Sequence, residues 1–143
     1  MSTSPVSLTG EFTHADWAER SLGAEDTETT PRLAHASVRN AFSGGIVAAD
    51  TRCEYTIAYT DGAAGRFTGL ELVVGEVEGR AGSFVLEERG GFDTAGVVEC
   101  AFTVVPGSGT GALTGLTGSG SFVHRPGMTS TPYGFSYELP TEG

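Results

Sequence analysis

The sequence predicts an all-β protein, an eight-stranded antiparallel β-barrel built as a single domain. Three observations carry that expectation. Apolar and polar residues alternate with a period of two along most of the chain, while helical periodicity is nearly absent. Glycine supplies 22 of 143 residues, about twice its usual share of about 7%, and it is scattered among Val-, Thr- and Phe-rich stretches. Hairpin turn signals separate those stretches at short intervals. With 38% hydrophobic and 18% charged residues, the chain can fill one core, so residues 1–143 read as one domain with a short tail at 140–143.

The elements follow in order. A first strand spans 6–17. Residues 21–30, SLGAEDTETT, are polar and acidic and read as a long loop, the one segment suited to act as a lid. A second strand covers 33–43 and ends at Gly44-Gly45, a two-residue hairpin turn in which glycine tolerates positive φ. A third strand runs through 46–60 to the turn DGAAG at 61–65. The fourth strand, 66–77, and the fifth, 80–91, flank Glu78-Gly79, a relative of the Asp-Gly hairpin signal. A turn at 93–96 leads to a sixth strand, 97–105, ended by Pro106-Gly107. Segment 107–120 is Gly-rich, but it holds no Lys and opens no helix, so it reads as a structural loop rather than a phosphate loop. A seventh strand lies at 119–123 and an eighth at 133–139. Closing eight strands removes exposed edges and leaves room for packed side chains or one small ligand.

Charge and residue types exclude several functions. The formal charge is −10, which repels phosphate backbones, so nucleic acid is not an expected partner. All 8 basic residues are Arg; without Lys there is no Schiff base and no P-loop. No apolar run approaches the roughly 20 residues of a membrane span. The N-terminus, MSTSPVSLTGEF, lacks the basic and apolar regions of a signal peptide, which places the protein in the cytoplasm. In that compartment Cys53 and Cys100 are expected as free thiols, buried as small core residues. His14, His35 and His124 have no metal-ligand spacing. No G-x-G-x-x-G opens a helix and no G-x-S-x-G elbow is present, so no cofactor, metal or serine nucleophile is expected.

Two segments, RFTGLELVVGEVEGRAGSFVLEERGGFD at 66–93 and VVPGSGTGALTGLTGSGSF at 104–122, resemble a bacterial, mostly actinobacterial, family of uncharacterised proteins. That family is similar in fold to the allene oxide cyclase barrel, and the resemblance covers about residues 10–122. It implies an eight-stranded antiparallel barrel or lipocalin-like cup, often oligomeric, with an apolar cavity. Allene oxide cyclase rings a fatty-acid epoxide largely by shaping a greasy substrate. No local motif here matches its catalytic residues, so none is carried over.

The hairpins set the faces. A two-residue turn at Gly44-Gly45 puts Ala36 opposite Cys53. A similar turn at Glu78-Gly79 puts Val73 opposite Phe84, Glu71 opposite Leu86 and Gly69 opposite Glu88. Pairing Tyr55 with Glu71 joins the two hairpins. Directly paired residues share a face, so one face holds Val38, Asn40, Phe42, Cys53, Tyr55, Ile57, Tyr59, Phe67, Glu71, Val73, Phe84, Leu86 and Glu88. Its aromatic content makes it the interior. The outer face holds His35 across from Glu54, and Leu70, Leu72 and Val74 form an apolar stripe suited to a homo-oligomer contact.

Glu71 and Glu88 then become diagonal neighbours inside an apolar barrel, with Tyr55 beside them and open space at Gly69. Two carboxyls so placed cannot both ionise cheaply. One serves as general acid and the other as base, while Tyr55 donates to a developing oxyanion. Phe42, Cys53, Tyr59, Phe67, Phe84 and Leu86 are the expected ligand-binding wall, and Trp17 floors the pocket mouth. The reading that follows is a cofactor-independent cyclase or isomerase acting on a hydrophobic, polyketide- or lipid-like intermediate of secondary metabolism. A non-catalytic carrier or sensor, and an interaction protein with a filled barrel, are the alternatives. An empty cavity and a raised carboxyl pKa separate them.

Overall fold

The computed structural model describes residues 5–23 and 30–140. Alternating inward and outward side chains fold into one antiparallel sheet of nine strands. These are β1 (Val6–Leu22), β2 (Arg32–Gly44), β3 (Ile46–Val47), β4 (Arg52–Asp61), β5 (Ala64–Val77), β6 (Arg80–Phe92), β7 (Val98–Val104), β8 (Thr117–His124) and β9 (Thr131–Glu138). A short 3₁₀ turn at Gly111–Leu113 precedes β8. The sheet order is β3-β5-β4-β2-β1-β9-β8-β7-β6, and β5 also pairs with β6. That last pairing joins eight of the strands into a ring of hydrogen-bonded neighbours. Most of the acidic segment expected as a loop or lid, residues 24–29, lies outside the described residues, as do 141–143 of the tail.

The β5–β6 hairpin has the expected register throughout, with Val77 opposite Arg80, Val73 opposite Phe84, Glu71 opposite Leu86 and Gly69 opposite Glu88. The third expected strand is not continuous. It divides into β3, which pairs with the end of β5, and β4. Residues between them make a detour held by the Thr51 N–H, which donates to the Asn40 carbonyl at 2.8 Å. The turn at Gly44-Gly45 is longer than the expected two residues, since Phe42 bridges Ala48, and with the detour it slides the next strand by two residues: Val38, not Ala36, stands opposite Cys53, and Ala36 stands opposite Tyr55. The turn after β4 is tighter than the expected 61–65, with Asp61 opposite Ala64 and an irregularity between Tyr59 and Asp61, and it puts Cys53, not Tyr55, across from Glu71, and Tyr55 across from Gly69. Because side chains alternate with period two, a two-residue slip changes partners without changing faces. The inward set therefore survives. Leu70, Leu72 and Val74 stand exposed on the outer face, and the His35 Nε2 lies 2.9 Å from Glu54 Oε1 there.

The two ends of the ring are filled differently. At one end the inward positions are large: Ile46, Val73, Val77, Phe84, Phe102, Val104, Phe135 and Tyr137 pack into one cluster. Leu113 and Leu116, from the Gly-rich segment, close this end and are fully buried. Their loop is fastened to β6 by Thr110, whose N–H donates to the Ser83 carbonyl and whose hydroxyl accepts the Ser83 N–H at 3.0 Å. Segment 107–116 is thus a plug. At the other end many inward positions are small, among them Ala34, Ala36, Gly69 and Gly90, and the aromatics stand around a space rather than filling it.

Candidate functional site

That space is a cavity of about 380 Å³, within the range of about 300–1,000 Å³ of small-molecule pockets. Its walls are mainly aromatic and aliphatic. Of the residues expected from sequence, Trp17, Phe42, Tyr55, Tyr59, Phe67, Glu71, Leu86 and Glu88 all line it. Phe84 does not, since its ring belongs to the packed end. Cys53 does not reach the cavity either: it is wholly buried between the carboxyls and the sheet. Strands β1, β8 and β9 also contribute Phe12, Phe122 and Tyr133. These were out of reach of hairpin reasoning, because their neighbours come from ring closure between β1 and β9.

The carboxyl pair forms through β5 and β6. Glu71 and Glu88 lie on the same inward face, one step apart diagonally, and both are about 98–99% buried. An oxygen of each lies within 4.8 Å of the other and of the Cys53 sulfur. Glu71 Oε2 accepts two hydrogen bonds, from the Thr51 hydroxyl at 2.5 Å and from the Asn40 amide at 2.8 Å. Thr51 in turn accepts the Asn40 backbone N–H at 3.2 Å. The detour before β4 is therefore what carries a donor onto Glu71. Alternation places Asn40 on the inward face but assigns it no task, and nothing local in the sequence marks Thr51.

Glu88 is held differently. Its Oε1 accepts the Tyr55 hydroxyl at 2.7 Å and is 3.8 Å from the Cys100 thiol. Burial pushes the Glu88 pKa well above the usual carboxyl range, and the neighbouring Glu71 pushes it further; Tyr55 and Cys100 oppose the shift. With Oε1 accepting from Tyr55, Oε2 is the oxygen left to carry a proton. Burial, then the Glu88 charge, raises Tyr55 well above its ordinary value, so it remains a donor. Cys53 and Cys100 are raised for the same two reasons and stay thiols at neutral pH. Cys53, Glu71 and Glu88 lie close enough to touch one ion, but a thiolate ligand would first have to lose the proton that burial retains.

Gly69 couples Tyr55 to Glu88. The space expected to admit a ligand above this glycine is taken by the Tyr55 ring, which crosses β5 to reach Glu88 on β6. A Cβ at Gly69 would sit 2.3 Å from the Glu54 carbonyl oxygen and 2.6 Å from Tyr55 Cδ1. Gly69→Ala is accordingly expected to cost about 1–3 kcal/mol by overpacking and to detach Tyr55 from Glu88. Urea denaturation would measure the loss, and unchanged stability would contradict this close approach.

At the mouth, Trp17 is half exposed, so it borders the opening rather than plugging the core. Its Nε1 donates to Glu19 at 3.2 Å, and the Tyr59 hydroxyl donates to the same carboxylate at 2.5 Å. The Arg32 guanidinium lies 3.9 Å over the Tyr59 ring. Burial and Glu19 together push Tyr59 up to about 12. His14 and His124, distant in sequence, meet edge to face at 5.9 Å along the cavity wall.

The chain is thus an all-β protein whose ring of antiparallel strands is packed at one end and holds an aromatic-lined cavity with a buried carboxyl pair at the other. The chain belongs to DUF3224, a family of proteins of unknown function, whose model matches residues 8–137. It is similar to a crystal structure of a DUF3224 protein of unknown function from Shewanella oneidensis MR-1, at 28% identity and a TM-score of 0.74 over 96% of this chain and 100% of that one. No curated protein matches the chain. Among the described residues, no helix is long and apolar enough to cross a membrane.

Proposed function

We propose that the ring is a barrel-like cup that binds a hydrophobic small molecule, and that Glu71 and Glu88 perform cofactor-independent acid–base chemistry on it. The observation that carries this reading is two adjacent carboxyls, both buried at the wall of an apolar cavity, one of which has its pKa raised by burial and by the other. Such a pair separates acid and base roles by environment. In the proposed reaction, Glu88 passes its proton to a carbonyl or epoxide oxygen of the substrate. Glu71, steadied by Asn40 and Thr51, takes a proton from a carbon beside it. The C–H electron pair becomes the new double bond and the former C–O π or σ pair goes to oxygen. With a carbonyl substrate, Glu71 returns its proton to a different carbon while the enol oxygen gives its proton back to Glu88, which completes an isomerisation; with an epoxide the ring-opened allylic alcohol is the isomer, and the proton passes from Glu71 back to Glu88. Attack by the enol double bond on a second carbonyl carbon of the same substrate completes a cyclisation: the oxygen of that carbonyl takes the Glu71 proton and the enol oxygen returns its own to Glu88.

Tyr55 enters as a positioning residue, since its hydroxyl is committed to Glu88 rather than to an oxyanion. The fold likeness that the sequence resemblance implies, between this kind of family and the allene oxide cyclase barrel, is the ground for proposing a polyketide- or lipid-like intermediate as the substrate class. Native mass spectrometry of the purified protein, with solvent extraction of whatever is bound, tests the reading. A bound apolar mass is expected, and it supplies the substrate to assay. Glu71→Gln and Glu88→Gln are then expected to lower turnover by about 10²–10⁴-fold while retaining binding. Full turnover by either variant would reject the assigned roles. Ligand binding with no turnover by the native protein would leave a carrier. An empty protein that shows no thermal shift with lipids or polyketides would point to an interaction protein.

A further inference from the structure

We infer that the molecule the cup accepts is an apolar amine, bound through its protonated nitrogen at Glu71. This deepens the reading above and rests on it, because it presumes that the cavity takes a small molecule. The argument is a count of donors and acceptors at the carboxyl pair. One N–H of the Asn40 amide and the Thr51 hydroxyl are directed to Glu71 Oε2. The Tyr55 hydroxyl is directed to Glu88 Oε1. A polar group entering here meets the second oxygen of Glu71, the lone pairs of Tyr55 and the carboxyl of Glu88, whose acceptor sites outnumber the donors left, the Glu88 hydrogen and the second N–H of Asn40. It must therefore bring donors, and an ammonium group brings three with no acceptor to be stranded.

Charge points the same way. Among the described residues, the ion pairs are His35 with Glu54 and Arg39 with Asp16 and Asp50; none reaches Glu71 or Glu88. The cavity wall contains no Arg. Its two imidazoles, His14 and His124, stand on β1 and β8, and neither is within ion-pairing distance of either carboxyl. Two carboxyls buried within 4.8 Å of each other, with no basic side chain paired to either among the described residues, form a site that lacks the partner buried charge calls for. One monocation completes it: the nitrogen takes one lone pair of the second Glu71 oxygen and leaves the other to accept the substrate's proton. Phe42, Tyr55 and Phe67 present ring faces and edges around the same space, the kind of surroundings in which organic cations are held. The net charge of −10 favours the approach of cations and opposes that of carboxylates.

Three probes with one apolar body test the inference: naphthylethylamine, naphthylethanol and naphthylacetate, each titrated calorimetrically into the full chain at neutral pH. The amine is expected to bind about ten- to a hundredfold more tightly than the alcohol, the gain of a hydrogen bond to a charged group. Naphthylacetate is expected to bind weakest. Glu71→Gln should erase the preference for the amine and leave the alcohol's affinity in place. Equal or tighter binding of the alcohol would overturn the amine inference while leaving the hydrophobic cup standing. An unchanged preference in Glu71→Gln would overturn the assignment of the nitrogen to Glu71. Failure of all three probes to bind would overturn the cup reading and this inference with it.

Discussion

Replacing Glu88 with glutamine is expected to make the protein more stable at neutral pH and above, and inert in proton transfer. The direction follows from the raised carboxyl. In the unfolded chain Glu88 ionises near its ordinary value of 4.5, whereas burial and Glu71 hold it protonated in the folded state to a much higher pH. Below the unfolded value both states carry the proton, and Glu88 imposes no penalty. Above it the unfolded chain releases the proton and the folded one does not, so native stability falls by about 1.4 kcal/mol for each pH unit. The fall stops where Glu88 ionises in the folded protein. Glutamine has no proton to lose. Its carbonyl accepts from Tyr55 as Oε1 does, and its amide donates toward Glu71 in place of the carboxyl hydrogen. The stability advantage of the variant should therefore begin near pH 4.5 and widen with pH until it levels off. Urea denaturation of both proteins across pH 4 to 9, a range of about five units, reads this directly. Parallel curves would mean that Glu88 ionises normally in the native state, and the acid role assigned to it would go. Such a gain at the expense of chemistry is the usual trade at a functional site.

The second large effect separates the two ends of the ring. Phe84→Ala is expected to cost about 3–5 kcal/mol, because the ring leaves a void among close-packed neighbours. Phe84 is wholly buried within the packed cluster, among Val73, Leu113 and other large side chains. For a chain whose total stability is on the order of 5–15 kcal/mol, that loss approaches unfolding. Phe67→Ala removes the same side chain from the wall of the cup, where its ring meets Tyr55 edge to face at 5.1 Å. Here the change widens a space that already exists. The cost should fall to about 1.5–3 kcal/mol, the transfer contribution without a new void. Phe67→Ala should also admit a bulkier ligand than the native protein does. Denaturation midpoints of the two variants decide the matter. Equal losses would mean that both ends are filled in solution, as the interaction-protein reading requires.

Much of this site was legible in the sequence because hairpin registers are local. Glu78-Gly79 by itself sets which residues of β5 and β6 face one another, and so brings Glu71 and Glu88 together on one face. Tyr55 shows the limit of that logic. The expected turn at 61–65 aims it at Glu71. The chain instead turns tightly from Asp61 to Ala64, which moves Tyr55 to Gly69 and hands it to Glu88. The residues between β3 and β4 deliver Thr51 to Glu71. A detour of this kind leaves no periodic trace, because it interrupts the alternation for only four residues, 48–51. Asn40 sat on the expected face, but its task depends on a partner 31 positions away.

What the sequence alone determined was the all-β architecture, the inward and outward faces and the carboxyl pair. All three follow from period-two alternation and short turns, which act between residues close in the chain. The tertiary structure alone decided that one end of the ring is packed and the other open. That choice depends on which large and small side chains meet across the interior, and on a Gly-rich segment folding back to place Leu113 and Leu116 as a plug. It also brought His14 to His124 and Phe12 to Phe122. Those contacts arise when β1 joins β9 and the ring closes, a pairing between the two ends of the chain that local patterning cannot encode.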